Sequence, residues 1–313
     1  MFMGGTVQCA LSSSREVYMA TCWFRIAGLL LILTIFTLST GCAHKAKVEP
    51  TAGSFLDDIF TTVNADPDVD KFSKAMPTYL QQMDGFIKSN PEDIQSIFRA
   101  SGAYFGYAFC FVEDSDKEQA SLLYLKGRNY ALDELKRYRI FKQALNDDIP
   151  RFKQALHESL DKRDIQALYW TALNWLGWIN LNLDNTDALA DIPKVQAILE
   201  YIHTLDESYN NGIVHAALGT LYANRRKADG GDPEKAREEF NKAFSYTGNS
   251  LFAVHVMYAK FYAHQIQDRQ LFQKTLEKVI ATPSGYYPDK TFVNEVARRK
   301  AMLLLENADT YFK

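Results

Sequence analysis

Disulfide chemistry, strand patterning, basic tracts and catalytic signatures are all missing from this chain, and each absence narrows what it can be. Four cysteines occur in 313 residues: Cys9, Cys22, Cys42 and Cys110. The first two lie in a segment expected to be discarded and the third is expected to carry lipid, so no bridge can staple the remainder. Cys110, inside an apolar run, reads as a small buried hydrophobe. No tract of Lys or Arg stands out and the net charge is only −3, which excludes the electrostatic footprint of a nucleic-acid binder. Beyond residue 54 no stretch alternates apolar and polar residues as a half-buried strand would.

Chemistry is equally sparse. None of the six histidines, His44, His157, His203, His215, His255 and His264, sits in HExxH or has a second His or a Cys at ligand spacing, so no metal site is expected. Gly230-Gly231 lacks the rest of a phosphate-binding loop, and Ser101, Ser121, Ser159 and Ser208 lack a GxSxG context. No catalytic residue and no cofactor are therefore expected, and the chain reads as a binding protein rather than an enzyme.

What is present begins with an address. Ile26 to Leu38 is almost wholly apolar and Arg25 precedes it. That run is too short to span a bilayer, which takes about 20 residues, but has the length of a signal-peptide core. Residues 1–41 are read as a signal peptide, with Met19 the expected true start because the polar residues before it suit a leader poorly. Leu38-Ser39-Thr40-Gly41-Cys42 resembles the bacterial lipobox, which makes Cys42 the expected lipidation site. Two or more acyl chains anchor stably, since each buried CH₂ contributes about 0.8 kcal/mol. Ala43 after the cysteine resembles the outer-membrane sorting pattern, placing the protein in the periplasm on the inner leaflet of the outer membrane. Residues 42–53 are the lipidated cysteine and a short tether.

The body, 54–313, is expected to be all-α: an α-solenoid of tetratricopeptide-like hairpins with extra helices at each end. Apolar residues recur at helical spacing between breaks at Pro, Gly and Asp. Asn90-Pro91-Glu92 and Asp232-Pro233-Glu234 both have the pattern of a cap followed by a first turn. Leu218, Gly219 and Tyr222 precede Ala236, Phe240 and Ala243, and the same small-and-aromatic arrangement recurs in three other places. Gly102 and Phe105 precede Ala120, Tyr124 and Gly127; Leu176 and Gly177 precede Val195, Leu199 and Ile202; Ala259 and Tyr262 precede Phe272, Leu276 and Val279. Residues 54–88 read as a helical pair broken near Asp66-Pro67, 130–161 as linking helices, and 291–312 as a closing amphipathic helix with Phe292, Val296, Leu303 and Leu304 inward.

Three stretches carry a family resemblance: GYAFCFVEDSDKEQASLLYLKGRNYAL (106–132), ALYWTALNWLGWINLNLDNTDALADIPKV (167–195) and GTLYANRRKADGGDPEKAREEFNKAFSYTG (219–248). They resemble the T-component family of tripartite ATP-independent periplasmic (TRAP) transporters, over about residues 54–312. The resemblance implies a lipid-anchored periplasmic helical protein that docks a TRAP solute-binding protein, forms a homotrimer and passes hydrophobic ligands. It supplies no catalytic motif.

Two segments are the candidate ligand or channel lining. In Tyr104–Phe111 a helix would be apolar all round, and Tyr104, Tyr107 and Phe111 are its candidates. Trp170, Asn174 and Trp178 follow at spacings of four on one helix face, where an amide between indoles suits a carboxylate or ring. The same Asn and tryptophans equally suit a packed interhelical contact, with Trp175 on another face as packing. Two other functions stay open: a tetratricopeptide-like scaffold for outer-membrane or cell-wall assembly, and an envelope hydrolase.

Overall fold

Aspartate begins most of the long helices. In a computed structural model, residues 68–225 and 230–312 are described; the leader over 1–41, Cys42, the tether and residues 54–67 lie outside them. The described residues belong to one unit and form 13 α-helices with no strand. Helix α1 is Val69–Ser89, α2 Ile94–Tyr107 and α3 Lys117–Leu135, and their N-caps Asp68, Asp93 and Asp116 accept from Lys71, Ser96 and Gln119 backbone N–H groups. Helices α4 Arg139–Ala144 and α5 Ile149–Ser159 follow, the second capped by Asp148 with Pro150 in its first turn. Then come α6 Ile165–Leu181, α7 Thr186–Leu205, α8 Tyr209–Ala223 and α9 Pro233–Thr247. Asp232 caps α9 with bonds from the Glu234 and Lys235 N–H groups, as its Asp-Pro-Glu pattern predicts. Each such cap contributes about 1 kcal/mol. The C-terminal set is α10 Phe252–Met257, α11 Arg269–Ala281, capped by Asp268, α12 Thr291–Glu306 and the single turn α13 Ala308–Tyr311.

Asn90-Pro91-Glu92 departs from its expected role. Asn90 closes α1, donating from its backbone N–H and its side chain to the Phe86 carbonyl, and the next helix waits for Asp93. Asp93 accepts from both the backbone N–H and the hydroxyl of Ser96, at 3.2 and 2.8 Å, and with Asn90 spent on closing α1, Pro91 is left in a turn.

The four expected hairpins fall on consecutive helices that pack together: α2 with α3, α6 with α7, α8 with α9, and α10 with α11. The most extensive packing, however, joins α3 to α6 across the inserted α4–α5 pair, and α5 rests on α7. Gly177 makes the α3–α6 approach close, since a Cβ there would sit 2.5 Å from a ring carbon of buried Tyr124. Gly177→Val is expected to cost about 1–3 kcal/mol through overpacking, read as a drop in the denaturation midpoint.

The chain of helices closes on itself. Helix α12 packs on α10 and α11 and also reaches α1. Phe292 meets Phe72 edge-on at 5.3 Å and Phe111 at 6.2 Å. Arg299 forms an ion pair with Asp70 at 2.6 Å, and Lys300 reaches the end of α2. Phe292, Val296 and Leu304 are buried as expected, whereas Leu303 is exposed.

Two π-helical turns interrupt the helices facing this closure. Ala108–Val112 extends α2 and Tyr258–Ala263 extends α10. Each shifts the register of the side chains that follow by one residue.

Candidate functional site

The closed run of helices surrounds a cavity of about 670 Å³, within the range of small-molecule sites. Its walls are mostly apolar. Helix α2 and its π-turn supply Phe105, Gly106, Phe109 and Cys110; α6 supplies Trp170, Leu173, Leu176, Gly177 and Leu181. The opposite wall is Ile213 and Ala217 of α8, Tyr246 of α9, Val256 and Met257 of α10, and Val293, Val296 and Leu304 of α12. The second π-turn adds Lys260 and Phe261. Both π-turns thus lie in the cavity wall.

One end is polar. Lys300, only 7% exposed, donates to Glu113 at 2.9 Å and to Asp114, and its ammonium lies 4.7 Å from the centre of the Phe109 ring. Glu113 also accepts from the Tyr124 hydroxyl at 2.6 Å. Burial alone would lower the Lys300 pKa, but the two carboxylates outweigh it and hold it above its ordinary value. Two carboxylates against one ammonium leave this corner net negative. Lys260 differs: among the described residues it has no carboxylate partner, and its ammonium lies 5.4 Å from the Phe261 ring centre. The third lining lysine, Lys290, pairs with Asp289, so among the described residues Lys260 is the cavity lysine left for an anionic ligand group. Burial pushes the Cys110 thiol up to about 12, so at neutral pH it is not a thiolate nucleophile.

Gly106 is the other unusual wall residue. A Cβ built there meets nothing within 4 Å, so neither neighbouring packing nor a positive φ calls for glycine. Gly106→Ala is expected to raise stability by about 0.5–1 kcal/mol, measured by chemical denaturation, because glycine is a poor helix former.

Of the six residues expected to line a ligand site, Trp170 is in the cavity wall. The other five are placed elsewhere. Tyr104 donates to Asp84 of α1 at 2.8 Å and stacks on Tyr130. Tyr107 and Phe111 lie against each other, 6.0 Å between ring centres, on the side of α2 where the closure with α12 forms. Asn174 is fully buried and donates to the carbonyls of Ser101 and Trp170 at 3.2 and 2.9 Å, which binds α6 to α2. Trp178 shares the Arg128 guanidinium with Trp175, at 6.0 and 5.1 Å. Trp175 is buried packing, and its indole N–H donates to Asp191. The residues that sequence reasoning missed are Phe105, Gly106 and Phe109, one step around the same helix. Beyond the cavity, His203, Glu207 and His215 gather into one cluster, a grouping that no motif spacing in the sequence marks.

A comparison with family models matches residues 65–312 to the TRAP transporter T-component family. The chain belongs to that family. The match spans every described helix, and membership assigns the chain an accessory role in TRAP transport. It is also similar to an uncharacterised protein of Treponema pallidum (strain Nichols), 24% identical over 276 residues, covering 82% of this chain and 84% of that one. Among the described residues no helix of this T-component is long and apolar enough to cross a membrane.

Proposed function

We propose that this T-component is a lipoprotein held at the periplasmic face of the outer membrane through Cys42, where it docks a TRAP solute-binding protein and takes a ligand into its cavity. The cavity carries the ligand part of this reading. Its apolar walls fit a hydrocarbon or ring, and Lys260 suits a carboxylate at one side, while the Lys300 corner with its two acids repels one. The ligand class that fits is therefore an apolar carboxylate. The leader and lipobox support the anchor, and the family supports the partner and a homotrimer.

Titration with a dansyl-labelled fatty acid tests the ligand reading. One saturable site per chain is expected, weakened by Lys260→Met with the melting temperature unchanged. Absence of saturable binding, or binding indifferent to Lys260, would contradict it. Light scattering on the purified protein tests the trimer, which a monomeric mass would refute.

A further inference from the structure

We propose that His203, Glu207 and His215 form a binding site for one divalent metal of the zinc class, on the outer side of the cavity wall. Their candidate ligand atoms all lie within 4.8 Å of one another. His203 comes from the last turn of α7, Glu207 from the connection, and His215 from α8. His215 is fully buried, and its Nε2 has no hydrogen-bond partner. That nitrogen lies 3.9 Å from a Glu207 carboxylate oxygen. The Nδ1 of His203 is also buried without a partner, and the two imidazoles meet edge to face at 5.2 Å. Two buried ring nitrogens without partners are costly in a packed protein, and a metal ion held by the cluster would satisfy them.

The surroundings match a metal ligand set. The other nitrogen of His215, Nδ1, lies 2.6 Å from Glu239. A carboxylate there fixes the proton on Nδ1 and turns the Nε2 lone pair toward the cluster, as outer carboxylates do for zinc-binding histidines. Tetrahedral bonds of about 2.0–2.1 Å require ligand atoms roughly 3.4 Å apart, so modest contraction completes the site. Glu207, whose side chain is half exposed, can supply it. Two nitrogens and one oxygen favour zinc-class metals over magnesium or calcium and leave a fourth position for water. The bound metal would tie the end of α7 to the start of α8, behind the cavity residue Tyr246, which stacks on His215 at 5.3 Å.

The test is titration of the chelator-stripped protein with Zn²⁺ by calorimetry and with Co²⁺ by visible absorption. One equivalent is expected, with a Co²⁺ spectrum of four-coordinate type and a higher melting temperature in zinc than in chelator. Glu207→Gln and His203→Gln, both away from the fully buried position, should weaken binding at least tenfold, about 1.4 kcal/mol, with unchanged circular dichroism. No stoichiometric binding, or binding unaltered in both variants, would overturn the proposal.

Discussion

Lys300→Met is expected to destabilise the protein by about 3–5 kcal/mol, the usual cost of removing one partner from a buried ion pair. Most of that loss is not the attraction itself. Methionine leaves Glu113, only 10% exposed at its side chain, beside Asp114 with no cation between them. Residues 113 and 300 come from opposite ends of the described chain, so the pair also fastens α12 to the end of α2. Denaturant melts at neutral pH read the effect, and adding Glu113→Gln and Asp114→Asn should recover most of it by removing the stranded charges. The alkaline limb supplies an independent check. A Lys300 pKa raised above its ordinary 10.5 gives stability that is full below that value and is lost as pH rises through the folded one. The variant should therefore lack part of the alkaline destabilisation of the parent. A cost near zero would mean that Lys300 is solvated and the closure is open.

Gly106→Trp is expected to remove binding of the dansyl fatty acid, at least tenfold or about 1.4 kcal/mol, with little change in melting temperature. The position faces space that no neighbouring atom occupies within 4 Å of a Cβ. An indole, which buries about 150–250 Å², would fill part of the volume between Phe105 and the α12 wall. Stability should hold because helix propensity improves over glycine while apolar surface is covered. A variant that binds the probe as well as the parent would place the probe elsewhere. One that unfolds would show that the space is not available.

Much of this architecture is legible in the sequence, for local reasons. Asp232-Pro233-Glu234 predicts its helix start because the aspartate cap and the proline act within a single turn. The paired small and aromatic residues, such as Gly219 with Phe240, mark hairpins because a Cβ at Gly219 would lie 2.8 Å from that ring. The segment Tyr104–Phe111 is also recognisable as apolar on every side. Which side meets a ligand is not recognisable, because aromatic residues occupy both. Tyr104, Tyr107 and Phe111 turn toward α1 and the closure, and Phe105 and Phe109 turn toward the cavity. Periodicity reports burial, not the nature of what does the burying.

The remaining features depend on contacts between distant residues. Arg299 and Asp70, or Lys300 and Glu113, look like ordinary surface charges in the sequence, and only the closure pairs them. His203 and His215 escape motif reading because the irregular connection between α7 and α8 brings them together. The start of α8 is itself irregular, with left-handed φ of 48°, 54° and 70° at Asn210, Asn211 and Gly212. The π-turns are likewise unmarked, so Lys260 gives no sign of facing a cavity.

A quantitative pull-down from the native periplasmic extract tests the central claim most directly, with the purified protein as bait and mass spectrometry as the readout. Strong enrichment of a TRAP solute-binding protein, retained at physiological salt, is expected. Enrichment of outer-membrane or cell-wall assembly factors instead, or recovery of no solute-binding protein, would contradict it.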